Sequence, residues 1–202
     1  MSHTVPFCIV DVRTPKAAME RLSEEFCVIQ FRTQGITYEA ISCHPDVFLF
    51  QYNNTFIVAP NIPQEYKDFF RNNGIDFSEG TMPINETLRN SVAYNCVATS
   101  EYVFHKTGMT DPAIMILCRG HQFIHLPQAY TRCSTLALTD RAIITSDKGI
   151  AHALEQRTFD VCYIDPYEIH LPPYPYGFIG GCMGIFGTSI YLIGSLKYIS
   201  NG

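Results

Sequence analysis

The sequence lacks any cluster of positive charge. Its 14 lysines and arginines occur singly along 202 residues, against 19 acidic residues, for a formal net charge of -5. A protein that binds a nucleic-acid backbone needs a basic patch or stripe to neutralise the phosphates. We therefore expect no nucleic-acid partner.

The amino terminus also lacks a secretory signal, because neither a basic segment nor a long apolar run precedes residues 4–6. We therefore expect a cytoplasmic protein, a compartment in which thiols stay reduced. Five of the eight cysteines lie inside apolar runs, which predicts that they pack as small core residues. These five are Cys8, Cys27, Cys96, Cys118 and Cys162.

Cofactor motifs are missing too, since there is no Walker loop, no Gly-x-Gly-x-x-Gly segment and no nucleophile-elbow serine. Four metal-capable side chains have C-x2-H-x3-H-x7-C spacing, namely Cys118, His121, His125 and Cys133. On strands, residues 118 and 125 would point apart. We therefore predict neither a cofactor nor a metal site.

The segment 170–196 has no Asp, Glu, Lys or Arg, and three interpretations of it compete. Its last 19 residues, 178–196, are long enough for a membrane span. However, they contain five glycines and a Gly-Thr-Ser turn signal, and no basic cluster flanks them. The remaining interpretations are a core strand pair and a strand pair whose glycine loop presents Cys182. We favour the last one and expect no membrane association.

The chain begins with a β-α-β pattern: an apolar run at 7–12, a helix that starts near Thr14, and a second strand at 27–31. Four similar β-hairpins follow. Their polar turns start at residues 53, 99, 139 and 187, so the offsets are 46, 40 and 48 residues. Such a quasi-period is typical of repeated supersecondary units.

Helix and strand signals between the hairpins complete the unit, with helices predicted at 64–73 and 147–157 and a strand at 160–165. Between the second and third hairpins, residues 106–111 are too short and too rich in turn formers for a full helix. There we predict only a strand, at 113–118. After the last hairpin no helix signal precedes Gly202. Either the ring of units closes on the amino-terminal strand, or the full protein extends beyond this sequence.

Three short motifs carry a resemblance to a known superfamily: Pro-Asp-Val-Phe at 45–48, His-Leu at 125–126 and Gly-Gly-Cys-Met at 180–183. With the repeat, they resemble the pentein fold of the guanidino-group-modifying enzymes, which include arginine deiminases and dimethylarginine dimethylaminohydrolases. The chain also looks like an uncharacterised bacterial branch of that superfamily. The resemblance implies one α/β domain over residues 1–202, a five-fold α/β propeller of hairpin-helix-strand units whose last unit is short.

The resemblance also implies a function and site residues. Cys182 corresponds to the superfamily's nucleophile and His125 to its proton donor and acceptor. We predict a cysteine hydrolase or transferase that acts on a small molecule in the central cavity. Asp46 and Tyr176, which lies in an aromatic loop at 172–176, are the predicted substrate-binding residues. No particular oligomeric state is predicted.

The sequence departs from the superfamily at the positions where Asp and Glu side chains bind the guanidinium group. Phe50 and Gln51 occupy the place of one carboxylate, Pro127 follows His-Leu where Asp is frequent, and 88–93 reads Leu-Arg-Asn-Ser-Val-Ala. Without these acids a guanidinium group would lose binding energy and orientation. The alternative function is therefore a non-catalytic pentein binding module, like the ribosome anti-association factor of this fold.

Each predicted site residue has a structural alternative. Cys182 is either a thiolate activated by backbone N–H groups of its glycine loop, or a small buried side chain in a tight turn. His125 could instead be a strand residue satisfied by a hydrogen bond. Asp46 could cap a turn, and the prolines of the 172–176 loop could make it a rigid connector.

Overall fold

The computed structural model describes residues 6–171 and 174–199, and they form a mixed α/β structure built from small sheets. The chain begins with strand β1 (Phe7–Asp11), helix α1 (Lys16–Leu22) and strand β2 (Cys27–Phe31). The two strands pair in parallel, with Phe7 opposite Cys27. The β-α-β start is confirmed.

Three consecutive units then share one order of elements: a one-turn helix, an antiparallel hairpin, a longer helix and a third strand. The first comprises α2 (Pro45–Phe48), β3 (Leu49–Tyr52), β4 (Thr55–Val58), α3 (Gln64–Asn72) and β5 (Asp76–Glu79). The second comprises α4 (Leu88–Ser91), β6 (Val97–Ala98), β7 (Tyr102–His105), α5 (Pro112–Leu117) and β8 (Gln122–His125). The third comprises α6 (Thr131–Ser134), β9 (Thr135–Ala137), β10 (Ala142–Thr145), α7 (Lys148–Glu155) and β11 (Asp160–Tyr163).

A last hairpin follows the third unit. The 3₁₀ turn Gly180–Cys182 takes the place of the one-turn helix, and β12 (Met183–Phe186) and β13 (Ser189–Leu192) follow. Three further 3₁₀ turns cover Glu39–Ile41, Pro166–Glu168 and Leu196–Tyr198. In each three-stranded sheet, the second hairpin strand lies in the middle and pairs in parallel with the third strand. All four predicted hairpins are present.

The predicted strand at 113–118 is wrong. This segment is helix α5, and the strand follows it as β8. Asp111 caps the helix by accepting a hydrogen bond from the backbone N–H of Ala113 (2.8 Å), and Pro112 stands at the first helical position. Ile114 and Cys118 are buried, whereas Ile116 is 74% exposed. A four-residue burial period belongs to a helix and not to a strand.

Two cysteines also differ from expectation, since Cys27 and Cys162 are exposed, while Cys96 and Cys118 are buried as predicted. Strands β2 and β11 are edge strands that pair with a neighbour on one side only. Alternate residues of such a strand point away from the core. An apolar neighbourhood in sequence therefore did not guarantee burial. All eight cysteines are free thiols.

Within the charge-free segment, residues 180–192 form a 3₁₀ turn and a β-hairpin, which confirms the predicted strand pair. No helix in the described parts of the chain has both the length and the apolar character that a membrane crossing requires. The last hairpin packs on the β-α-β start: the ring of Phe26 lies 5.2 Å from that of Phe186 and 5.0 Å from that of Tyr191. Tyr191 also donates a hydrogen bond to Glu25 (2.6 Å).

Candidate functional site

The short helical turns before separate hairpins meet, and one buried side chain connects them. Asn95, which is fully buried, donates through Nδ2 to the carbonyl oxygen of Asp46 (2.9 Å) and to Sγ of Cys133 (3.0 Å). Its Oδ1 accepts from the backbone N–H of Cys133 (3.1 Å). Helix α2, the segment before β6 and helix α6 are therefore held together at one point.

Arg132 connects the same point to the last hairpin. Its guanidinium donates to the carbonyl oxygen of Gly180 and to that of Met183 (2.8 Å). Gly180 approaches α6 so closely that a Cβ atom there would overlap the backbone of Arg132 and Thr135. The glycine is required for this approach, and the approach places Cys182 beside α6.

Asp46 extends into this contact region. Its Oδ2 atom is buried and has no hydrogen-bond partner. Donor atoms of His44, Asp46 and Cys133 all lie within 4.8 Å of one another, and the carboxylate also interacts electrostatically with Cys182. We call this group, which comprises His44, Asp46, Asn95, Arg132, Cys133 and Cys182, the turn cluster.

Both thiols of the turn cluster are held protonated. Burial raises the pKa of Cys182 above that of a free thiol, the Asp46 carboxylate raises it further, and the Arg132 guanidinium opposes them. Burial raises the pKa of Cys133 more strongly, and Asp46 adds to that effect. The Cys182 thiol donates to the carbonyl oxygen of Phe178 (3.6 Å). The net effect of these surroundings is to raise the pKa of Cys182, and its role as a nucleophile stays a prediction.

His125 lies at the end of β8 and is exposed. Its Nδ1 accepts from the backbone N–H of Thr107 (3.2 Å) and is 2.8 Å from the Thr107 hydroxyl. Within residues 6–171 and 174–199, no hydrogen bond joins His125 to Cys182. The pairing of these two residues in catalysis stays a prediction.

A second histidine, His105, lies directly opposite His125 in the β7–β8 pair and is buried. Its Nε2–H donates to the carbonyl oxygen of Ala129 (2.9 Å), and its Nδ1 lies 2.7 Å from the Thr110 hydroxyl. Burial lowers the pKa of His105 to about 4. This histidine is therefore neutral at physiological pH and satisfied by its partners.

Tyr176 is half-buried, and its ring packs edge-on against Tyr167 at 5.1 Å. Residues 172–173 of the aromatic loop lie outside the described residues. The role of Tyr176 in substrate binding stays a prediction.

The set with zinc-like spacing does not come together. His121 bonds to the carbonyl oxygen of Cys118 (2.9 Å) and to the Tyr52 hydroxyl (3.0 Å), whereas Cys133 belongs to the turn cluster. Sequence reasoning found Asp46 and Cys182 but missed the other four members of the cluster. One signal was available: Asp46, Cys133 and Cys182 each lie within three residues before the first strand of a hairpin.

Comparison with solved structures identifies the class of fold. The amidinotransferase SxtG of Microseira wollei, from the saxitoxin biosynthetic pathway, aligns over 85% of this chain and 76% of its own, with a TM-score of 0.51 and 11% identity. A DDAH of Pseudomonas aeruginosa, complexed with citrulline, aligns over 75% of this chain with a TM-score of 0.49 and 8% identity. This chain spans 64% of that DDAH. The chain shares the pentein fold, as its three motifs predict.

The chain belongs to the DUF6873 family, which is described as a family of unknown function and which matches residues 9–202. No curated protein matches the sequence.

Proposed function

We propose that this protein is a cysteine-dependent hydrolase or transferase that acts on a small cationic molecule at the centre of a five-unit pentein propeller. Cys182 is the nucleophile, Asp46 binds the cationic group, His125 is the general acid and base, and Tyr176 contributes to the wall of the site. One observation carries the proposal: the buried, unpartnered Oδ2 of Asp46 belongs to a carboxylate whose charge raises the pKa of Cys182.

Two observations support the five-unit ring: the repeated units, and the contact between the first and last parts of the chain. Three complete units lie between a first unit of two strands and a last hairpin. The aromatic contacts of Phe26 with Phe186 and Tyr191 bring the last hairpin against the first unit. A ring closed in this way directs the turns before successive hairpins towards one centre, where the turn cluster lies.

A carboxylate oxygen that is buried without a partner is costly, and a cationic ligand group would relieve that cost. The chain supplies one such carboxylate where the superfamily uses several. A cationic group with fewer N–H donors than a guanidinium, such as an amidinium, therefore suits it better. The ligand's charge would also offset that of Asp46, which raises the pKa of Cys182. Binding would thus favour the thiolate at the moment when it is needed.

The thiolate then attacks the electrophilic carbon of the bound molecule, and the amine or other leaving group departs with a proton supplied by His125. Water completes a hydrolysis, and a second amine completes a transfer. The chemistry is that of covalent catalysis by a cysteine, with binding energy drawn from the carboxylate.

Two alkylating reagents of nearly equal shape test this proposal. The cationic 2-chloroacetamidine and the neutral 2-chloroacetamide are each reacted with the protein, and mass spectrometry of peptides gives the rate at Cys182 and at exposed Cys27. We expect the amidinium reagent to be favoured at Cys182 over Cys27 by about tenfold or more, the value of one charged hydrogen bond. In Asp46→Asn this preference disappears. Equal reagent preference at Cys182 and Cys27 in the unaltered protein would contradict the proposal.

A non-catalytic binding module is the second candidate, and two observations favour it: the raised pKa of the Cys182 thiol and the contacts of His125 with Thr107. A binding module would be stabilised against heat by a small amidinium ion in both the unaltered protein and Cys182→Ala, and the amidinium reagent would show no preference for Cys182 over exposed Cys27. A cysteine enzyme forms the adduct at Cys182 preferentially.

A further inference from the structure

Three different donor types face one another in the turn cluster. A ring nitrogen of His44, a carboxylate oxygen of Asp46 and Sγ of Cys133 lie within 4.8 Å of one another. Independently of that spacing, Oδ2 of Asp46 is buried and lacks any hydrogen-bond partner. The Cys133 thiol hydrogen-bonds to the same carboxylate, and a cation that replaces the thiol proton would satisfy Oδ2 as well. Nitrogen, oxygen and sulfur donors together favour a transition-metal ion.

The surroundings of these donors match those of metal ligands. Nε2 of His44 lies 3.6 Å from Oδ2 of Asp11, and Arg13 holds that carboxylate by two hydrogen bonds of its side chain (2.9 and 2.6 Å). Carboxylates commonly orient a ligating histidine by a hydrogen bond to one ring nitrogen, and Asp11 would do so here after closing by roughly 0.5 Å. Asn95 donates to Sγ of Cys133 (3.0 Å) and fixes the direction of the sulfur.

We propose that His44, Asp46 and Cys133 form a binding site for a divalent transition-metal ion, with Zn²⁺ as the ion that suits the donor set. Zinc takes histidine nitrogen, cysteine thiolate and carboxylate oxygen in tetrahedral sites, and three protein ligands leave its fourth position open. Zinc–ligand bonds are about 2.0–2.3 Å long, so the ligand atoms around one zinc ion lie closer together than 4.8 Å. The three side chains therefore need to move towards one another by roughly 1 Å.

Binding exchanges a proton for the ion. The S–H bond of Cys133 breaks, an S–metal bond forms, and the proton passes to the solvent. The thiolate and the Asp46 carboxylate together neutralise the two charges of the ion. Because a proton is released, the affinity for the ion rises with pH.

The metal site uses Asp46, which the proposed function assigns to a cationic ligand, so the ion and that ligand would exclude each other. The inference about the metal does not depend on the proposed reaction. Its test uses no substrate and is made on a different cysteine, so the two proposals can fail separately.

The test is a titration of the reduced protein with Co²⁺, because a cobalt–thiolate bond has charge-transfer absorption in the near ultraviolet and a tetrahedral cobalt ion has visible bands. We expect both signals at one equivalent of Co²⁺ and their loss on addition of Zn²⁺. Cys133→Ser removes the charge-transfer absorption. Cys182→Ala and Cys162→Ala, the second at an exposed thiol, retain it.

Asp11→Asn is the variant that probes the orienting carboxylate: it keeps the absorption and weakens the affinity by about tenfold. Circular dichroism establishes that Cys133→Ser is folded. His44→Gln, at a half-buried position, should also abolish binding of the metal ion. Absence of the charge-transfer absorption in the unaltered protein would overturn the proposal. So would absorption that survives Cys133→Ser or that disappears with Cys182→Ala or Cys162→Ala.

Discussion

Gly180 is the residue on which the position of Cys182 depends. A Cβ atom at Gly180 would overlap the backbone of α6, whereas a Cβ at neighbouring Gly181 would have its nearest atom 3.9 Å away. Gly180→Ala should therefore lower the free energy of unfolding by about 3 kcal/mol, because the backbone has to move. Gly181→Ala is the matched control and should change it by less than about 0.5 kcal/mol. Urea denaturation measures both, and equal effects would contradict the close approach.

The sequence identifies some of the site residues, but it does not reveal the surroundings that determine the pKa of their side chains. Cys182 and Asp46 stand in motifs, and the fold brings them near enough for the Asp46 carboxylate to raise the pKa of Cys182. The pKa of Cys182 could not be predicted, because it depends on burial and on charges from α2 and α6. Asn95 carries no motif, and Cys133 stands only in the zinc-like spacing that does not come together. Their role in the turn cluster arises only when three separate turns meet.

Helix α5 illustrates how elements are fixed in place. The carboxylate of Asp111 is fully buried, caps α5, and accepts from the backbone N–H groups of Thr81 (2.9 Å) and Met82 (2.8 Å) and from the Tyr94 hydroxyl (3.1 Å). One side chain thus joins α5 to the segment after β5 and to the segment before β6.

Replacing Asp111 with alanine should cost about 3–5 kcal/mol of stability, because several buried donors lose their acceptor at once. Asp147 caps α7 with one short bond to the N–H of Ile150 (2.8 Å), and Asp147→Ala should cost only about 1 kcal/mol. Thermal unfolding of the two variants provides the comparison. A loss at position 111 no larger than that at position 147 would show that Asp111 acts as a cap alone.

Local patterns predict most elements correctly where two signals agree. The hairpins combine polar turns with apolar runs, and α3 and α7 combine a burial stripe with start and stop residues. The prediction of a strand at 113–118 was wrong because a short apolar run is compatible with either a strand or a buried helix. Its capping residue, Asp111, was counted as part of a turn.

On the scale of the whole molecule, the contact between the first unit and the last hairpin is the feature that the proposed ring requires. Phe26 is buried between Phe186 and Tyr191. Phe26→Ala should cost about 3 kcal/mol and should increase hydrogen exchange in both β1–β2 and β12–β13, because the two sheets share this packing. Tyr191→Phe removes only the surface bond to Glu25 and should cost less than about 1 kcal/mol.

If Phe26→Ala accelerated exchange in only one of the two sheets, their packing would not be coupled and the ring would lose its support. The repeat offsets in the sequence predict that similar units follow one another. They do not predict which faces meet, because the side chains that join the first and last units are separated by more than 150 residues.

The pH dependence of alkylation at Cys182 tests whether Asp46 and Cys182 belong to one site. Alkylation by neutral iodoacetamide is followed at Cys182 from pH 6 to 11 in the unaltered protein and in Asp46→Asn, and the midpoint of the rate gives the thiol pKa. The carboxylate raises that pKa, so its removal should lower the midpoint and increase the rate at neutral pH. An unchanged midpoint in Asp46→Asn would show that the two residues do not act on each other, and the proposed site would have no basis.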